Sequence, residues 1–168
     1  KMDGIVLECK NQNSTIGYFA VLYRQVTRRI KQGIEKGEFE DNPRMEILDV
    51  LFAKRFIDAY QTWKIGLTPT QSWKIAFDAS QESSLLVIQH LFLGINAHIN
   101  LDLGIAASET MKGQDLLPIK RDFDQINAVL AELVDGVKTN LSKVSPIFGW
   151  LIPLAKGRDE MLLNFSIQ

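Results

Sequence analysis

Apolar residues recur along most of this chain at steps of three and four, the spacing of one helix face. No segment alternates apolar and polar residues as a half-buried strand does. Tyr18, Phe19, Leu22, Val26, Ile30 and Ile34 form the first stripe, entered near Ser14 and closed at Gly37, and they predict a long helix. "DNPRMEILDVLFAKRFIDAYQTWKIG" repeats the plan. Asn42 can cap, Pro43 suits a first turn where its missing N–H costs nothing, and Gly66 can adopt the left-handed closing conformation, so a second helix is expected over about 43–64. In "TPTQSWKIAFDA", Thr68 as cap and Gln71 as its capping-box partner predict a shorter helix ending near Ala79.

Ser80 then reads as the cap of a central helix over about 81–110, ended before Gly113. From Ile119 the apolar positions 123, 126, 130, 133, 137, 141 and 144 mark the most regular amphipathic helix of the chain, whose seam requires a partner. "SPIFGWLIPLAKG", with Phe148 and Trp150, is too short to span a bilayer and reads as a buried loop or lid. The final residues suit one more short helix. No repeat and no linker divides the chain, so the expectation is one all-α domain over 1–168, a bundle of six or seven helices around the buried central one.

The central helix poses a question of chemistry. In "HLFLGINAHINLDLGIAA" (90–107) apolar residues occupy nearly every side, with Phe92, Ile95, Ile99, Leu103 and Ala106 roughly opposite His90, yet two polar stripes cross it. One rises through His90, Gly94, His98 and Asp102 toward Glu109. The other holds Gln89, Asn96 and Asn100. A buried polar group without a partner costs about 1–3 kcal/mol, so neighbouring helices, water or a ligand must answer these groups. Arg55 stands on the apolar face of the second helix, four residues after Leu51, with Asp58 three residues on, and pairing of Arg55 with Asp58 or Asp102 would give a buried ion pair.

His98 and Asp102 lie about 6 Å apart along the axis, close enough to hydrogen-bond or to share an ion, whereas His90 and His98 are about 12 Å apart. Three readings follow. His98 and Asp102 could form a catalytic acid–base or metal site, with Glu109 as a further ligand to a divalent metal ion that activates a water for hydrolysis, and with His90 or Glu109 as proton acceptor. His90, Asn96, Asn100, Arg55 and Asp58 could instead bind a small polar-headed molecule noncatalytically, with Phe92, Phe148 and Trp150 around its apolar part. The stripe could also be a closed polar network that fixes helix register. No HExxH or ExxH pair, GxSxG elbow, phosphate loop or dinucleotide fingerprint is present.

Composition narrows the partners. Nineteen Lys and Arg against twenty Asp and Glu give a net charge of −1, which leaves no basic excess for nucleic acid, and the cluster Arg24–Lys31 is balanced by the acidic run after it. Leu85 to Ala107 is long enough to span a bilayer, but its His, Asn and Asp residues argue for burial in protein, so no membrane association is expected. Cys9 is the only cysteine, which excludes an internal disulfide and a cysteine-based zinc site, and a cytoplasmic setting fits. A lone cysteine near the start of the chain is a weak candidate nucleophile. Nothing in the sequence fixes the oligomeric state.

"LGINAHINLDLGIAA", with "IGYFAVLYRQVTRRIKQGIEKGEFED" and "RMEILDVLFAKRFIDAY", resembles an uncharacterised bacterial family of helical proteins catalogued as a domain of unknown function. Its most specific element is "NAHINLDL", on Asn96, His98, Asn100 and Asp102. The resemblance implies an all-helical bacterial protein and brings no activity.

Overall fold

The computed structural model describes residues 1–82 and 84–129. The chain divides into compact units Lys1–Gln125 and Ile126–Gln168, and the first carries the architecture described below. The seam beyond residue 129, the segment with Phe148 and Trp150, and the expected final helix lie outside the described residues.

All regular structure among the described residues is helical: α1 (Met2–Asn11), α2 (Ile16–Lys36), α3 (Asn42–Lys64), α4 (Gln71–Ala79), α5 (Val87–Ala97), a π-helical turn (His98–Asp102), α6 (Leu103–Met111) and a 3₁₀ turn (Leu117–Ile119). Residues 120–129 are helical. The helices pack against one another as a bundle: α2 touches α1, α3 and α5, while α3 also meets α4, the π turn and α6.

Local chemistry accounts for the boundaries. Gly37 closes α2 with φ +71°, and the Glu38 N–H reaches back over it to the Gly33 carbonyl. Asp41, one residue before the expected cap, accepts from the Arg44 N–H at 3.0 Å to start α3, and Gly66 follows its end with φ +78°. Thr70 rather than Thr68 precedes α4.

The central helix starts later than expected. Ser80 belongs to the end of α4, where its hydroxyl donates to the Phe77 carbonyl at 2.6 Å, and α5 begins at Val87. The start is marked by Gln89, whose side chain folds back to accept from the Leu86 N–H at 2.8 Å. From there α5, the π turn and α6 form one helical run, Val87–Met111, long and apolar enough by composition to cross a membrane, with a window of mean hydropathy 1.2.

The side of this run that faces the core is the polar stripe. His90, Gly94, His98 and Asp102 are buried with Leu91, Ala97, Ala106 and Ala107, whereas Phe92 is 57% exposed and Ile95, Ile99 and Leu103 are half-buried. The stripe lies against an aromatic core of Phe19, Tyr23, Phe56, Trp73 and Phe77. A second buried carboxylate, Asp122, accepts from Arg44 Nη2 at 2.6 Å and from the Glu40 N–H at 2.8 Å, tying the segment after the 3₁₀ turn to the start of α3.

Candidate functional site

Asp102 is the centre of the site. It is 0% exposed, and its carboxylate meets donors from three elements. Arg55 Nε–H of α3 donates to Oδ1 at 3.0 Å, Trp73 Nε1–H of α4 donates to Oδ2 at 2.7 Å, and His98 Nδ1 lies 3.1 Å from Oδ2. Burial alone would push this carboxyl up, but the bonds from His98, Trp73 and Arg55 outweigh burial and hold it below the usual carboxylate range. The group is therefore a buried anion, paired and hydrogen-bonded as a charge in that position must be.

His98 and Asp102 are the first and last residues of the π turn. Such a turn replaces i→i+4 bonds with i→i+5 bonds, and it occurs often at functional sites. Four residues before His98, Gly94 makes room for α2: a Cβ there would stand 2.7 Å from Phe19 Cγ.

The His98 ring is enclosed by aromatic side chains. It stacks on Phe52 with centroids 3.7 Å apart and planes at 5°, and Tyr23 meets it edge-on at 4.2 Å. Burial lowers the His98 pKa against the opposing pull of Asp102, so the ring is neutral, with its proton on Nδ1 toward the carboxylate. Its Nε2 is then a bare acceptor, and both that atom and the Tyr23 hydroxyl are buried without a hydrogen-bond partner among the described residues. Half-buried Asp49 interacts electrostatically with Tyr23, and burial pushes its carboxyl up to about 7.

On the other side the network reaches solvent. A cleft of about 310 Å³ is lined by Lys54, Arg55, Asp58 and Thr62 of α3, Thr70 and Trp73 at the start of α4, and Glu109 of α6, among others. Arg55, 27% exposed, is the link: its Nε holds Asp102, and no acceptor among the described residues takes its two terminal amino groups. Lys54 and Asp58 pair with each other across one helical turn. A larger hollow of about 590 Å³, lined in part by Gln12, Thr15, Trp63 and Lys64, contains none of the candidate site residues read from sequence. Several of its polar groups are already engaged, Thr15 with the Ser80 carbonyl and Lys64 with Glu8 and Gln12.

Of the candidates read from sequence, His98, Asp102 and Arg55 come together, and Arg55 pairs with Asp102 rather than Asp58. Asp58 and Glu109 line the cleft. Asn96 and Asn100 are exposed and bond to each other at 2.6 Å, so they turn away from the buried stripe. His90 is buried, and its Nδ1 has no hydrogen-bond partner among the described residues. Among the described residues no group of three or more His, Cys, Asp or Glu could hold a metal ion, so His98, Asp102 and Glu109 do not assemble as a three-ligand site. The Cys9 thiol is buried, which raises its pKa, and it donates to the Tyr60 hydroxyl at 3.7 Å.

Sequence reasoning missed Trp73, Tyr23 and Phe52. For Trp73 a signal existed: a buried indole needs an acceptor, and Asp102 was the buried acid in need of donors.

The sequence model of a family described as a family of unknown function (DUF5995) matches residues 1–168. No curated protein and no solved structure matches the chain.

Proposed function

The chain belongs to the DUF5995 family, which carries no assigned activity, and from its own residues we propose that it is a small-molecule-binding protein whose site is the cleft over Arg55. One observation carries the reading. Asp102 fixes the Arg55 guanidinium through Nε, and among the described residues the two terminal amino groups are left as a planar fork of donors at a cleft. Pre-organisation by a buried partner reduces the entropy lost when such a side chain meets a ligand. The hydroxyls of Thr62, Thr68 and Thr70 add neutral hydrogen-bonding groups, and the volume suits a small solute. In this reading the helix Val87–Met111 is a core element that carries Asp102, supported by the bonds of Asp102 to α3 and α4.

The test is direct. Purified protein is examined by native mass spectrometry for bound organic molecules, and hits from a screen of small polar solutes are measured calorimetrically on wild type and Arg55→Lys. Lysine keeps the charge and loses the fork, so affinity is expected to fall at least about tenfold, the equivalent of one charge-assisted hydrogen bond. Equal affinity in both proteins would place binding elsewhere.

A second reading, acid–base or metal-assisted hydrolysis, draws on the bare Nε2 of His98, oriented by Asp102 as a general base would be. It has a weaker footing, because the ring is 2% exposed and enclosed by aromatic side chains. A stoichiometric metal lost in His98→Ala would favour it over the cleft.

A further inference from the structure

We infer that the ligand of the Arg55 cleft is a small zwitterion, with a carboxylate on the Arg55 fork and an ammonium at Glu109; this rests on the cleft being the binding site. The charges around the cleft are two cations, Lys54 and Arg55, and three carboxylates, Asp58, Glu109 and, behind the wall, Asp102. Lys54 is paired with Asp58, and Arg55 with Asp102. Glu109 has no ion-pair partner among the described residues, so the uncompensated charge of the cleft is negative.

A dianion such as a phosphate monoester would meet this excess unfavourably, because like charges in a partly desolvated site repel strongly. A simple cation would satisfy Glu109 and leave the guanidinium fork unanswered. A molecule with both poles answers each. The geometry of a carboxylate matches the terminal amino groups of Arg55 in a two-point contact, and an ammonium at Glu109 removes the negative excess. The Trp73 indole N–H is engaged by Asp102 and offers no donor to the ligand, so Arg55 and the threonine hydroxyls must orient the acidic end. A cleft of about 310 Å³ limits the occupant to a short chain.

The test uses glycine, β-alanine, 4-aminobutyrate and 6-aminohexanoate, with alkylamines and alkyl carboxylates of matched length. Affinities are measured calorimetrically, and the indole N–H resonance of Trp73 reports on location. One zwitterion length is expected to bind at least tenfold more tightly than either matched control and to shift the Trp73 resonance. Glu109→Gln, at an exposed position with no side-chain bond among the described residues, is expected to remove that advantage while alkyl carboxylates bind at least as tightly as before. Carboxylates that bind as tightly as zwitterions and shift Trp73 would overturn the zwitterion and leave the cleft reading standing. Zwitterion binding unaffected by Glu109→Gln, or without any shift at Trp73, would overturn the assignment. If neither the series nor any other polar solute moves Trp73, both readings fail.

Discussion

Trp73 donates its indole N–H to the same Asp102 oxygen that faces His98, at 2.7 Å against 3.1 Å. The bond joins α4 to the π turn through a buried charge, and its loss can be isolated. Trp73→Phe keeps an aromatic ring in the core and removes the donor. Hydrogen bonds to charged groups contribute about 1.5–3 kcal/mol, so a loss in that range, plus the cost of the smaller ring, is expected in urea unfolding. A loss below about 0.5 kcal/mol would show that Asp102 does not depend on the indole.

Two glycines on the same helical run should respond oppositely to alanine. At Gly94 a Cβ would approach Phe19 Cγ to 2.7 Å, so Gly94→Ala is expected to cost about 1–3 kcal/mol through overpacking, despite alanine's better helix propensity. At Gly104 nothing among the described residues lies within 4 Å of an added Cβ, and Gly104→Ala should stabilise by about 0.4–1 kcal/mol. Thermal melts of the two variants check the contrast, and a stabilised Gly94→Ala would contradict the close packing of α2 on α5.

The helices were legible in the sequence where their ends carry chemistry. Gly37, Pro43 and Gly66 mark α2 and α3 because left-handed backbone and a missing N–H are properties of single residues. Ser80 misled because a serine can finish one helix as readily as it can begin another, and here it ends α4 while α5 begins only at Val87. The π turn has no residue signature, and α1 is too short for its periodicity to stand out. The stripe His90–Gly94–His98–Asp102 was legible as a polar face at helical spacing. That it faces the core, with Phe92 outside, depends on Phe19, Phe52 and Trp73, which lie far away in sequence. Asn96 and Asn100 share its composition without its burial, and one sequence could not separate the two stripes.

Asp49 gives a pH dependence. Its carboxyl is raised to about 7 by burial, so between the unfolded value of about 3.9 and 7 the folded chain binds more protons than the unfolded one, and its contribution to stability declines as pH rises through that window. His98 works the other way. Its lowered pKa makes the unfolded chain the better proton acceptor below about 6.5, so stability falls as pH falls there. Subtracting wild type from Asp49→Asn isolates the first effect. The variant should gain steadily on wild type from pH 4.5 to about 7.5, and a pH-independent difference would contradict the buried carboxyl.

Cys9 should be inert in the folded protein. Burial at 1% exposure and a raised thiol pKa both suppress the thiolate, so a disulfide reagent should react quickly only after denaturation. Rapid reaction under native conditions would show that α1 opens.

The proposed cleft requires Asp102 to position Arg55 for a ligand as well as to hold α3, α4 and the π turn together. Asp102→Asn removes the charge with little change of shape, and Leu48→Ala is a control for stability alone, because Leu48 is buried and absent from the cleft lining. Both variants should be destabilised by a few kcal/mol. The deciding measurement is the calorimetric affinity of each folded variant for the best cleft-binding solute. A loss of at least about tenfold in Asp102→Asn, with wild-type affinity in Leu48→Ala, is the predicted result; unchanged affinity in Asp102→Asn would reduce the network to a structural clamp.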